Sequence, residues 1–328
     1  MTPLLRPDVF DAKEQVPTRD GFGKGVVEAG KADPRVVVLS ADLAESTRAE
    51  WFQKEFQDRF IEMGVAEQNM ATVAAGLAEY GKIPFITSYA TFSPGRNWEQ
   101  IRTTIAVNDV PVIVCGMHAG VSVGPDGATH QALEDIAIMR AMPNMIVISP
   151  CDLEEARKAT VAAAKAGKPV YMRFGREKTP LMTTPETSFE IGKAIIVWKS
   201  ESLPSQVAIF ATGPILFNAL LAGRELEKQG IGVVVVNVHT VKPLDSELIV
   251  TLAKECRAVV TVEEHQITGG LGGAIAELLA REAPTPIEFI GVHDRFGQSG
   301  TMTELYKEYG LTAEDITKAA QKVLLRKM

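Results

Sequence analysis

The chain has 328 residues, 46% of them hydrophobic and 23% charged, with a formal net charge of −7. That size fits a globular protein of about two domains at ~100–200 residues each, and the acidic balance argues against nucleic acid, whose phosphates need a basic footprint. No apolar run approaches the ~20 residues that span a bilayer, and the N-terminal MTPLLRPDVFDAKEQ lacks the basic-then-apolar pattern of a signal peptide, so the expectation is a cytoplasmic protein without a membrane partner.

Short apolar runs alternate with helical patterns along the chain, which predicts parallel-sheet α/β architecture. A strand over Val37–Ser40 comes first. An alanine-rich helix follows from about Val65, with apolar positions at Val65, Met70, Val73, Ala74 and Leu77 and a C-terminal stop at Gly81. Strands are then expected at Pro84–Ser88, Pro111–Gly116, Met145–Pro150 and Pro169–Phe174, with helices at Trp98–Val107, Leu133–Ala141 and Asp152–Lys165 between them. The segment Thr179–Glu190 has two prolines, several threonines and no periodicity, and reads as a linker. A second α/β unit takes strands at Val207–Thr212, Gly232–Val238, Ala258–Glu264 and Ile287–Val292. Its helices lie near Pro214–Gln229, Ser246–Glu255, Gly270–Arg281 and Thr312–Leu325. The domains are thus expected at 1–180 and 193–328, joined by 181–192. Cys115, Cys151 and Cys256 fit no metal or CxxC spacing and read as small buried hydrophobes in a reducing compartment.

Glu67 opens the alanine-rich helix. A first-turn acid has an ordinary explanation in the helix dipole, but a carboxyl among apolar residues is costly without a partner. The aromatic residues Phe92 and Trp98 follow in SYATFSPGRNW, and then MHAGVSVGPDGATHQ sets His118, Asp126 and His130 on a glycine-rich loop. Gly120, Gly124 and Gly127 let that backbone approach a ligand closely. Two of the chain's five histidines fall on this one loop.

These residues resemble the pyrimidine-binding domain of the transketolase family of thiamine diphosphate enzymes. GVAEQ resembles the family's glutamate motif, SYATF…W its aromatic wall, and HAGVSVGPDGATHQ its substrate loop. RFGREKTP, TRDGFGK and SADLAEST resemble segments that contact substrate phosphate. The resemblance runs from about Arg19 to Pro180 and continues, more weakly, through VTVEEHQITGGLGGAIAELL. It implies that Glu67 shares a proton with a ring nitrogen of the coenzyme, as an acid/base acting through it. It implies that Phe92, Trp98, Asp42 and Leu43 line the coenzyme pocket. His118 and His130 would be catalytic, bonding the developing alkoxide or the substrate hydroxyls. Asp126 would take a sugar hydroxyl, and Arg19, Ser46 and Arg176 would hold a terminal phosphate. The stretch after Phe92 departs from the family pattern, with Pro94 and Gly95 in place of aromatic residues and Arg96 adding a charge near the pocket.

The family's other motif, a GDG followed some thirty residues later by an asparagine, does not occur in the chain. In the family it binds Mg2+ and the diphosphate. The chain therefore resembles only the C-terminal half of a transketolase, and the implied partner is a separate N-terminal subunit that carries the diphosphate-binding domain and the Mg2+ ligands. The site would lie between them, with two copies of each subunit and a two-carbon ketol unit passed between sugar phosphates. The alternatives are the β subunit of a 2-oxo acid dehydrogenase, a deoxyxylulose-phosphate-synthase-like enzyme, and a non-catalytic assembly or regulatory partner. The loop histidines and the Arg19/Ser46/Arg176 set argue against the first, the second is normally one long chain, and an inert scaffold has no need of Glu67. In the second domain Glu263, Glu264 and His265 end a strand before a glycine-rich helix start, where close packing is the first expectation and a ligand the second.

Overall fold

A computed structural model describes residues 4–11 and 13–327; the first residues of the N-terminal stretch and the two outer domain limits lie outside them. The chain is α/β, in two domains with largely parallel sheets. The first sheet has seven strands in the order Thr240–Lys242, Ile146–Ile148, Val170–Arg173, Ile113–Met117, Ile83–Tyr89, Val36–Ser40 and Phe60–Glu62. All of its pairings are parallel except the outermost, Thr240–Lys242 with Ile146–Ile148. The second sheet orders Ile287–Val292, Val259–Gln266, Val207–Ala211, Val233–Asn237 and Ile195–Lys199, the last one antiparallel. The central strands are β-branched runs buried on both faces, as parallel sheets covered by helices require.

Several elements depart from the sequence expectation. Each parallel sheet carries one antiparallel edge strand, and the one on the first sheet is lent by a segment expected in the second domain. The long helix Thr18–Ala32 is absent from the sequence expectation, because Gly21, Gly23, Gly25 and Gly30 depress helix propensity. The structure gives the glycines a purpose: a Cβ on Gly21 would lie 2.3 Å from the Leu153 carbonyl oxygen, and with Gly25 it lets this helix press against Leu153–Ala163, while Gly23 and Gly30 make room for Trp51 and Phe52 of the helix Ala49–Glu55. The expected helix Trp98–Val107 is one α-turn followed by π-helical winding over Ile101–Ala106, and that at Leu133–Ala141 shortens to Asp135–Arg140.

The region read as a linker is strapped down. Lys178–Pro180 pairs antiparallel with Gln15–Pro17, and Met182, Thr183, Thr184 and Thr187 are buried. Asp152 fixes it: its carboxylate accepts from the backbone N–H groups of Met182 (2.7 Å) and Thr183 (2.6 Å) and from the Thr183 hydroxyl (2.8 Å). An apolar cluster runs unbroken from Leu39, Ile86 and Val114 of the first sheet to Phe210 and Val236 of the second. At the polar part of the same junction Arg173 donates to Asp135 and to the backbone carbonyls of Ala132 and Glu264. Burial alone would raise the Asp135 carboxyl, but the Arg173 guanidinium beside it prevails and holds it below its usual range.

Candidate active site

Four adjacent parallel strands end side by side. Val36–Ser40, Ile83–Tyr89, Ile113–Met117 and Val170–Arg173 deliver, at or just past their carboxyl ends, Asp42 and Leu43, Ser88 and Tyr89, His118, and Arg176. The carboxyl edge of an open parallel sheet is where such folds form a ligand crevice.

Glu67 is the first residue of the helix Glu67–Glu79 and is 1% exposed. Its carboxylate accepts from the Ser88 hydroxyl at 3.1 Å and from Arg96 at 2.6 Å. Asn97 donates to the Glu67 backbone carbonyl (3.1 Å) and to the Ser93 hydroxyl, tying the turn after Phe92 to the start of the helix. The carboxyl thus has a partner inside the chain that its sequence context does not assign.

From Arg96 the site continues through rings. The Arg96 guanidinium stands 4.8 Å from the Phe92 centroid. Phe92 lies nearly parallel to Tyr89 at 6.0 Å and meets His130 edge-on at 5.4 Å. Tyr89 in turn stacks on His118 at 4.1 Å. Tyr89 is the functional candidate that sequence reasoning missed: an aromatic residue ending a strand reads as core, and only its place in SYATF marks it. Trp98, expected beside Phe92, is committed elsewhere. Its indole N–H donates to the Ile138 carbonyl (3.3 Å) and its ring packs on the central apolar cluster.

The basic side is equally defined. Arg19 donates to the Ser46 carbonyl (2.8 Å) and lies 2.9 Å from His118 Nε2. An arginine can only donate, so a bond at this contact makes Nε2 the acceptor and puts the ring proton on Nδ1, which is buried with no hydrogen-bond partner among the described residues. Arg19 Nε is likewise buried and unpartnered among the described residues. Burial first, and then the charges of Arg19 and Arg176, push His118 down to about 3. Burial and neighbouring Arg48 also lower Arg19 from its ordinary value. Arg48 is paired with Asp20 at 2.7 Å, and Arg176 donates to the Val123 carbonyl and to Glu177. The cluster therefore presents a neutral imidazole ringed by cations. One consequence is measurable: in 15N spectra of the chain, the His118 ring should stay neutral from pH 8 down to about pH 5, and a midpoint near ~6.5, the ordinary histidine value, would show that the ring is neither buried nor faced by the arginines.

The remaining residues are more peripheral. Asp126 is exposed on the loop, and His130 Nδ1 is 2.9 Å from the Thr129 hydroxyl. Asp42 has φ +60° and donates its N–H to Glu62, while the Leu43 N–H donates to the Ser40 hydroxyl. Among the described residues neither is bonded to Glu67. The loop carrying His118 is braced by the second domain: Glu264 accepts from the Ser122 N–H (2.5 Å) and from the Tyr306 hydroxyl (2.9 Å), and a Cβ on Gly120 (φ +88°) would strike that carboxylate. Burial raises the Glu264 carboxyl above its usual range. Glu263 accepts from the Leu271 and Gly272 N–H groups at a helix N-terminus, and burial pushes it up to about 7. The pair thus serves packing and bracing.

Residues 14–182 match the transketolase pyrimidine-binding domain family, and residues 197–316 match the transketolase C-terminal domain family. The chain is 46% identical over 303 residues to a putative transketolase C-terminal section of Methanocaldococcus jannaschii, covering 92% of this chain and 94% of that protein. It is 39% identical over 309 residues to a 6-deoxy-6-sulfo-D-fructose transketolase subunit of Clostridium sp., covering 94% and 95%. Among solved structures it is similar to a split-gene transketolase described as an inactive β4 tetramer, with a TM-score of 0.88, 43% identity, and coverage of 95% of this chain and 100% of that one.

Proposed function

The chain belongs to the transketolase family, and we propose that it is the C-terminal subunit of a two-chain transketolase that uses thiamine diphosphate to pass a two-carbon ketol unit between sugar phosphates. The observation that carries this reading is the buried Glu67 carboxylate, set at the carboxyl edge of the sheet beside an aromatic face that leads through Tyr89 to a cation-ringed imidazole. The residues fit the coenzyme's pyrimidine end: a carboxylate that can hold a proton against a ring nitrogen, with Phe92 to cover the ring. Asp42 and Leu43 would line the same pocket. When bound, thiamine diphosphate supplies the carbon nucleophile that such transfers need.

The chain's own residues would divide the rest of the work. Glu67 holds or releases a proton at its carboxylate oxygen, where burial keeps water from competing. His118, neutral and with a free Nδ1–H, and His130 would donate to a substrate oxygen as charge develops on it. Asp126 would orient a sugar hydroxyl. Arg19 and Arg176, with Ser46, would hold a terminal phosphate, and the unpartnered Arg19 Nε is a donor ready for it. A sulfonated sugar of the kind named for one relative would meet the same arginines, so charge is recognised before the anion's identity.

The partner is proposed to be an N-terminal subunit that supplies the diphosphate-binding domain and the Mg2+ ligands, in an assembly of two copies of each chain. A cytoplasmic setting is supported by Cys115, Cys151 and Cys256, all buried and unpaired. The test is an assay of ketol transfer from a ketose phosphate with thiamine diphosphate and Mg2+. The purified chain alone should be inactive, in self-associated form, and transfer should appear on addition of the partner chain. Full activity of the chain alone would overturn the two-chain reading.

A further inference from the structure

We infer that Arg96 is a built-in place-holder for the coenzyme's pyrimidine: in the coenzyme-free chain its guanidinium occupies the seat on Glu67 and Phe92, and binding requires it to leave. The inference rests on the functional reading above and adds a residue and a displacement to it. A carboxylate that is 1% exposed is an uncompensated charge unless something answers it. Ser88 offers one neutral hydroxyl to Oε1, and Arg96 offers a charge-assisted bond of 2.6 Å to Oε2. The same guanidinium lies 4.8 Å from the Phe92 centroid, and Tyr89 lies nearly parallel to that ring at 6.0 Å. A guanidinium is flat and delocalised, with N–H donors in its plane. An aminopyrimidine bound to a carboxylate through its ring edge is likewise flat, with N–H donors in its plane, and would use the same carboxylate and the same aromatic ring. The two therefore compete.

The structure also makes departure easy. The Arg96 side chain is 44% exposed, and the bond to Glu67 is the one hydrogen bond its guanidinium makes among the described residues. The backbone of the turn is held independently, by Asn97 on the Glu67 carbonyl and on Ser93. The side chain can swing into solvent while the pocket wall stays in place.

The experiment uses Arg96→Met and, to retain charge without the flat fork, Arg96→Lys. In the isolated chain, thermal unfolding should show Arg96→Met melting below wild type, with Arg96→Lys recovering part of the loss. Once Glu67→Gln is present, adding Arg96→Met should lower the melting temperature no further. In the assembled enzyme, calorimetric titration with thiamine diphosphate should show Arg96→Met binding about five- to tenfold more tightly than wild type, a modest factor because the arginine that leaves is itself half-exposed. Equal or weaker binding by Arg96→Met would overturn the place-holder and leave the functional reading standing. Absence of thiamine diphosphate binding by wild type and variant alike would overturn the reading and this inference with it.

Discussion

Glu67→Ala, in the assembled enzyme, should slow turnover by about 10²–10⁴-fold, the range for loss of a positioned acid or base, while the fold survives. The substitution removes a buried carboxylate at the very start of the helix, and of its two partners the Arg96 guanidinium already has water within reach. The helix behind it keeps Met70, Ala71 and Ala74 in the central apolar cluster. Glu67→Gln separates the two roles the side chain could have. Glutamine keeps the shape and can still accept from Ser88, but it cannot take up or release a proton. If Glu67→Gln is as slow as Glu67→Ala, the proton is what matters. If Glu67→Gln restores the rate, or if Glu67→Ala turns over at the wild-type rate, the carboxyl has no acid/base role.

Arg19→Ala should act on substrate binding. A charge-assisted hydrogen bond is worth ~1.5–3 kcal/mol, so KM for a phosphorylated ketose should rise about 10- to 150-fold, with kcat changed far less. The geometry supports a direct role, because Arg19 already reaches Ser46 and His118 and keeps one buried N–H unused. Removing it also removes a cation from beside His118, so the imidazole should regain a proton more readily, and the pH at which the ring titrates should move up from about 3. An unphosphorylated ketose is the control. If its KM rises as much as that of the phosphorylated one, Arg19 is holding the site together and not the anion.

Much of this site can be read from residue order, for a physical reason. Glu67 stands out because a 3.6-residue pattern places it at a helix start, and the two histidines because a glycine-rich loop gathers them. Arg96 is visible in the sequence only as a nearby charge. Its ion pair depends on how the turn from Phe92 to Asn97 folds back, which no periodicity encodes. Tyr89 is hidden by its residue type, because aromatic side chains serve cores and pockets alike, and the bond from the Trp98 indole to a carbonyl on another helix follows from tertiary packing that residue order does not carry. In the fold, the buried parallel strands announce themselves as β-branched runs. The three-residue strand Thr240–Lys242 is too short to show a pattern. The glycine-bearing helix Thr18–Ala32 contradicts local propensity because two neighbouring helices, Leu153–Ala163 and Ala49–Glu55, leave no space for side chains.

That three-residue strand has a broader consequence. It carries chain from beyond the strap held by Asp152 back to cover the margin of the first sheet at Ile146–Ile148. A fragment cut between residues 180 and 193 would expose a bare strand margin ready to pair with foreign chains, and would open the apolar interior it shares with its neighbour. Separating the two domains would therefore uncover a strand edge and an apolar interior in one cut.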